Sequence, residues 1–315
     1  MSFELRLLVV SLGAFAGSGL VGAALVPWLW RRIAATTPAD RAAALLRLRL
    51  FPAALALTGA SFAAASYLLF EPRANHEDTG ITLLMLAVLA TVLGLGAIVR
   101  TGQLSRATRS ACRGWLRTAE SVIVPGTGIP TLAVDTEFPI VAVVGVLRPR
   151  LIVARSVLAA CTPEELATIA AHEQAHVTAR DNLRRAMFLL APDIVGWLPL
   201  SGRLLAEWRE ATEEAADDAA AASSTDRRLV LAQALIKVAR LAPAGWRPTA
   251  LPASALYDGE SIERRVRRLL APPRTDRPAR TAWQQAALAG FIFGACGLAI
   301  GGVQAVLELA VNFLP

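Results

Sequence analysis

Charge is missing from four long stretches of this chain. Residues 7–30, 50–70, 81–99 and 281–307 contain no Asp, Glu, Lys or Arg. Each reaches or exceeds the roughly 18 residues at which an apolar run becomes a candidate transmembrane helix. With 55% hydrophobic residues and a mean hydropathy of +0.48, an ordinary soluble domain is excluded. The first run is preceded only by Glu4 and Arg6 and is about twice as long as a signal-peptide core, so it reads as a retained span. The spans carry no charged residue and no paired broken helices, which argues against a transporter. The expected organisation is three transmembrane helices in residues 1–99, one domain over 100–280, and a fourth transmembrane helix in 281–315.

Cysteine is scarce too. Cys112, Cys161 and Cys296 have neither metal nor disulfide spacing, which suits a reducing compartment and gives them no expected catalytic role. A net charge of +7 and a pI near 10.5 could suggest nucleic acid, but the arginines cluster beside the apolar runs. Arg31, Arg32, Arg41, Arg47 and Arg49 follow the first, and Arg100, Arg106, Arg109, Arg113 and Arg117 follow the third. Arg264, Arg265, Arg267, Arg268, Arg274, Arg277 and Arg280 precede the fourth, whereas the loop after the second holds only Arg73 among Glu71, Glu77 and Asp78. Anionic headgroups and the positive-inside rule account for this pattern, so membrane lipid and not nucleic acid is the expected partner. It predicts a multi-pass protein of the cell membrane with both termini outside and the central domain in the cytoplasm.

Within that domain, residues 122–124, 131–134, 140–146 and 151–154 are short β-branched segments separated by Pro and Gly. They predict a small antiparallel sheet of three or four strands. A helix is expected over 163–181, started by Thr162, Pro163 and the capping-box residue Glu165. The broken apolar run 186–200 reads as a segment touching the bilayer or its neighbours, and further helices are expected over 204–222, 229–241 and 258–270. The fold class is therefore a mainly α membrane protein with an α+β domain between its spans.

His172-Glu173-Gln174-Ala175-His176 lies in the most strongly predicted helix and contains two of the chain's three histidines. Residues at i and i+4 stack on one helix face, so both imidazoles can reach one Zn²⁺ at about 2.0–2.1 Å. Glu173 is rotated about 100° from His172 and can act as a general base without taking a ligand position. A third ligand is available downstream. In Glu213-Glu214-Ala215-Ala216-Asp217, Glu213 would complete a His₂Glu set, and Asp217 could fix a ligand imidazole from behind. Residue types alone do not separate this pair from Glu214 and Asp218.

A longer pattern does separate them. Val144-Gly145-Val146-Leu147-Arg148-Pro149-Arg150, Thr162-Pro163-Glu164-Glu165-Leu166, the His172–His176 motif, Asp181-Asn182-Leu183 and Trp197-Leu198-Pro199-Leu200 together resemble the BlaR/MecR integral-membrane metallopeptidases. The family spacing from Pro199 lands on Glu213, with Asp217 in its Asp position. The resemblance implies a cytoplasmic gluzincin domain holding one catalytic Zn²⁺ through His172, His176 and Glu213, with Glu173 as base. It also implies proteolysis of a protein or peptide substrate, such as a transcriptional repressor or the chain itself. The family's β-lactam receptors carry a penicillin-binding domain after the last span. This chain ends at Pro315, just past the fourth run, so that sensor is expected to be absent and the receptor function is not carried over.

Two alternatives remain open from sequence. One is a membrane quality-control or prenyl-protein zinc protease, which shares the same motif logic. The other is a non-catalytic signalling or scaffold protein of the same fold, against which the intact Glu173 argues. Gly13-x-x-x-Gly17 and Ser18-x-x-x-Gly22 offer a close-packing face within or between chains, so a homodimer is one assembly they allow. Arg180, Arg184 and Arg203 are the candidates for stabilising an oxyanion, although Arg180 and Asp181 read more simply as helix-end residues.

Overall fold

The computed structural model describes residues 1–34, 37–71, 79–242 and 259–271. The fourth uncharged run, with Cys296, lies outside the described residues. Among the described residues, three helices are long and apolar enough to cross a membrane: α1 (Phe3–Trp30), α2 (Pro38–Phe70) and α3 (Ile81–Leu116). At about 1.5 Å per residue all three exceed a hydrocarbon core of roughly 30 Å. The excess lies at one end. Capped by Thr37 and opened by Pro38, α2 starts well before its uncharged run, so Arg41, Arg47 and Arg49 sit on a helix and not in the expected loop. In α3 the polar residues from Arg100 onward continue the same helix without a break.

The small residues of α1 are used inside the chain. A methyl added at Gly22 would stand 2.8 Å from the Pro52 Cα of α2, and one at Gly19 would stand 3.3 Å from Ala56 Cβ. Gly13 is closed off by Leu83 of α3, and Ser18 fills the space above Gly59 of α2. This face therefore packs the three helices against one another, which is the intrachain use of the motif.

After α3 come four strands, β1 (Glu120–Val122), β2 (Thr131–Val134), β3 (Val141–Val144) and β4 (Arg150–Ala154), in the order β1-β2-β4-β3. The sheet is mixed, not antiparallel throughout: β2 pairs with β4 in parallel, while β1–β2 and β3–β4 are antiparallel. The cause is a skipped position. The chain leaves β2 and enters β3 one place too far out, and the β3–β4 hairpin then returns β4 into the gap, parallel to β2. Gly145, at φ 104°, makes that hairpin possible; a Cβ there would meet the Arg148 carbonyl oxygen at 2.6 Å. The strand β3 is left at the edge.

Helices follow: α4 (Arg155–Ala160), α5 (Pro163–Ala179), α6 (Asp181–Leu190), α7 (Pro199–Ala221), α8 (Thr225–Leu241) and α9 (Gly259–Leu270), with a 3-10 turn at Ile194–Trp197. The capping box of α5 forms as the sequence predicts, with Thr162 Oγ1 accepting from Glu165 N and Glu165 Oε2 accepting from Thr162 N. Such a cap is worth about 1 kcal/mol. One core packs the sheet (Val134, Ile140, Leu151, Ile152) against Ile169 of α5 and Ala234 of α8.

A second core joins α1 and α2 to the helices beyond the sheet. Val26 of α1 and Leu45 and Leu48 of α2 pack with Phe188, Val195, Leu204 and Trp208. Beside it Arg49 Nη1 donates to Asp193 Oδ2 at 2.6 Å, with both side chains buried, and Trp197 stacks under the Arg100 guanidinium at 5.2 Å. The run 186–200 thus lies against the extended ends of α2 and α3, touching its neighbours as expected.

Candidate metal centre

Helix α5 carries His172 and His176 one turn apart, and α7 crosses it with Glu213 facing them. His172 Nε2 and His176 Nε2 are 3.1 Å apart, His172 Nε2 to Glu213 Oε2 is 3.5 Å, and His176 Nε2 to Glu213 Oε1 is 3.7 Å. Ligands at about 2.0–2.1 Å from a tetrahedral ion stand roughly 3.3 Å from one another. The three separations are close to the edges of such a polyhedron. Two imidazole nitrogens directed at each other with their lone pairs would repel, and a shared cation removes that repulsion. The donor set therefore fits a divalent metal, and two imidazoles with one carboxylate suit zinc among others.

Each imidazole is held from behind. His172 Nδ1 lies 3.0 Å from Asp217 Oδ1, and His176 Nδ1 lies 2.8 Å from Asp181 Oδ2. The hydrogen bond to Asp181 directs His176 Nε2 at the shared point, and the Asp217 carboxylate stands against the opposite edge of the His172 ring. Burial opposes protonation of His172, but the Asp217 and Glu213 carboxylates outweigh it and raise its pKa to about 9. His176 is raised in the same way, against burial, by Asp181 and Glu213. Burial likewise works against charge on Glu213 and Asp217, yet Arg265 and His172 hold both well below the usual carboxylate range.

Glu173 is 2% exposed and faces the strand edge, where its Oε2 accepts from Val143 N at 3.1 Å. Burial raises its pKa, with the two histidines pulling the other way. Asn182, at the start of α6, donates to the carbonyls of Val143 (3.1 Å) and Gly145 (2.9 Å) and so ties the helix pair to the edge of the sheet.

The rival pair is turned elsewhere. Glu214 Oε2 lies 3.6 Å from Arg268 Nε, and Asp218 pairs with the same guanidinium. Among the candidate oxyanion residues, Arg180 and Arg203 are exposed, and Arg184 lies 3.7 Å from Asp181. Arg180 adopts a left-handed conformation between α5 and α6, in agreement with its reading as a helix-end residue. Asp181 does more than end a helix, because its carboxylate supports His176.

The guanidinium that does reach the centre is Arg265, which sequence reading counted only among membrane-flanking charges. It is 4% exposed and grips Asp217 through Nε (2.9 Å) and Nη2 (2.6 Å), with Nη1 2.8 Å from Glu213 Oε2. A signal for it was present: Ile262, Arg265 and Leu269 share the buried face of α9, and an arginine on an apolar stripe calls for a buried acid.

Pockets open on both sides. One is apolar, between Ile140, Ile169, Leu231 and Leu235, with His172 and Arg265 in its wall. The other is polar and is lined by Glu173, His176, Asn182, Arg185, Arg209 and Glu213. Burial lowers the Arg185 pKa to about 10, with Arg209 adding to the effect.

A histidine pair on one helix, a carboxylate from a second and a buried glutamate beside them form the constellation of metal-dependent hydrolases. The family model described as BlaR1 peptidase M56 matches residues 122–269, from the end of β1 to the last turn of α9. Over this region the chain is similar to the family that its sequence resembles, and together with the apolar helices the match points to a membrane-associated metallopeptidase. Comparison with curated proteins gives no match.

Proposed function

We propose that the chain is a membrane-held zinc endopeptidase in which His172, His176 and Glu213 hold one Zn²⁺, Glu173 is the base, and Asp217 positions His172. The observation that carries this reading is the set of three separations at the centre, 3.1, 3.5 and 3.7 Å, with Glu173 buried beside it. Zinc held there would polarise the scissile carbonyl and make a water nucleophilic near neutral pH. Glu173 takes the proton that the water loses on attack and delivers it to the leaving amine nitrogen as the C–N bond breaks. Its raised pKa suits a group that must both accept and return a proton.

The substrate is a protein or peptide segment in extended form, laid along the cleft with an apolar side chain in the pocket beside His172. Val143 N–H is taken by Glu173, so substrate pairing with the edge of β3 excludes that residue. In this reading residues 1–99 hold the spans and 100–280 the peptidase domain; 281–315, expected from sequence to form a last span, lie outside the described residues. The arginine-bearing end of α2 packs against α7, which supports the peptidase region on the positive, cytoplasmic side of the membrane. A regulatory substrate on that side, or self-cleavage, follows from this placement.

The test is metal content with casein and self-cleavage assays on the full chain in detergent, comparing wild type, Glu173→Ala and Glu213→Ala. About one zinc per chain, retained without activity in Glu173→Ala and weakened in Glu213→Ala, is the expected result. Folded wild-type protein without zinc would sink the peptidase reading and favour a scaffold.

A further inference from the structure

We infer that Arg265 is a positioning residue for the metal centre, locking Asp217 against His172 and steadying Glu213 from a helix that carries no candidate ligand. This rests on the zinc-site reading above and adds a fourth helix to it.

The geometry is that of a fork. All three guanidinium nitrogens of Arg265 are engaged at once: Nε with Asp217 Oδ2 at 2.9 Å, Nη2 with Asp217 Oδ1 at 2.6 Å, and Nη1 with Glu213 Oε2 at 2.8 Å. The Asp217 oxygen gripped by Nη2 is the one 3.0 Å from His172 Nδ1. Rotation of that carboxylate, which stands against the imidazole at this distance, is therefore fixed from α9. Nη2 also lies 3.4 Å from His172 Nε2, so the guanidinium borders the ligand cluster itself. A lysine could neutralise the carboxylates but could not bind both oxygens of Asp217 in two directed hydrogen bonds.

The seat of α9 is independent of this contact. Ile262 and Leu269 are buried with Leu231 and Leu235 of α8, Arg264 pairs with Glu210 at 2.9 Å, and Arg268 pairs with Asp218. Arg265 is thus the one of these three arginines that faces the centre, and its neighbours only hold the helix down. This separation makes the inference testable.

The experiment measures zinc affinity of the full-length protein in detergent by chelator competition, with thermal unfolding of the metal-free protein alongside. The variants are Arg265→Ala, Arg265→Lys and Arg268→Ala. Loss of a group that orients a ligand typically costs 10–100-fold in metal affinity, and both Arg265 variants are expected in that range. Arg268→Ala is expected to lower the unfolding midpoint and leave zinc affinity within about twofold of wild type. If Arg265→Ala does not fold, Arg265→Lys carries the comparison. Wild-type affinity in the folded Arg265 variants overturns the inference, as does full recovery by lysine, which would reduce the role to charge balance. An equal loss in Arg268→Ala also overturns it, by showing that only the seating of α9 matters. Wild type without zinc removes the peptidase reading and this inference together, whereas zinc-replete wild type with unaffected Arg265 variants removes this inference alone.

Discussion

The carboxylate of Asp181 lies 2.8 Å from Nδ1 of His176, although a left-handed Arg180 and a new helix start separate the two residues. The break between α5 and α6 is what brings Asp181 back under the histidine, since a continued helix would carry it round to another face. Asp181→Asn should keep the fold and lose about 10–100-fold in metal affinity, because the amide no longer fixes the imidazole as the charged group does. Chelator competition measures this, and an unchanged affinity would remove Asp181 from the site.

Asn182 joins the same break to the edge strand through two hydrogen bonds, to the Val143 and Gly145 carbonyls. Asn182→Ala leaves both without that donor and should destabilise the protein by about 1–3 kcal/mol. Because Val143 N also holds Glu173, kcat should fall as well with zinc content unchanged. Denaturation midpoints and kinetics on one preparation separate the two effects.

Where α2 meets the segment before α7, Arg49 and Asp193 are paired, both buried, beside the apolar cluster. Removing one partner of a buried pair costs about 3–5 kcal/mol, whereas replacing both can be neutral. Asp193→Ala should therefore lower thermal stability in detergent sharply. Arg49→Leu combined with Asp193→Asn should recover most of it, since Asn keeps the acceptor for Gly196 N. A double variant as unstable as the single one would show that the charge pair itself is required.

Glu165 supplies the pH dependence that lies outside the metal centre. Burial would raise its pKa, but the hydrogen bonds from Lys237 Nζ (2.6 Å) and Thr162 N (2.7 Å) lower it below the ordinary value. A carboxylate with a lowered folded pKa adds stability that is complete above its unfolded value, about 4.3, and is lost as pH falls through the folded one. Wild type should therefore exceed Glu165→Gln in melting temperature at pH 7, and the gap should close toward pH 3. A gap independent of pH would assign the effect to packing alone.

Much of this was legible in the sequence because it is local. Uncharged runs give α1, α2 and α3, the Thr162–Glu165 box gives the start of α5, and a four-residue spacing gives His172 and His176. What was not legible depends on where the chain returns in space. The parallel β2–β4 pairing depends on a skipped strand position, not on composition. Asp181 looked like a cap because its reach to His176 depends on one left-handed residue. Arg265 sits among six other arginines before the fourth run, and only the packing of α9 on α7 distinguishes it.

The continuity of α7 has a mechanical consequence. It is a single helix from Pro199 to Ala221, carrying Leu204 and Trp208 against α2 at one end and Glu213 and Asp217 at the other. A metal site tolerates ligand displacements of only about 0.2 Å, far less than the roughly 5.4 Å of one helical turn. A shift of α2 at its contact with Leu204 and Trp208 would be carried along this helix toward the carboxylate of Glu213. The packing of α2 and the placement of Glu213 are therefore coupled through one helix, and neither can shift far without the other.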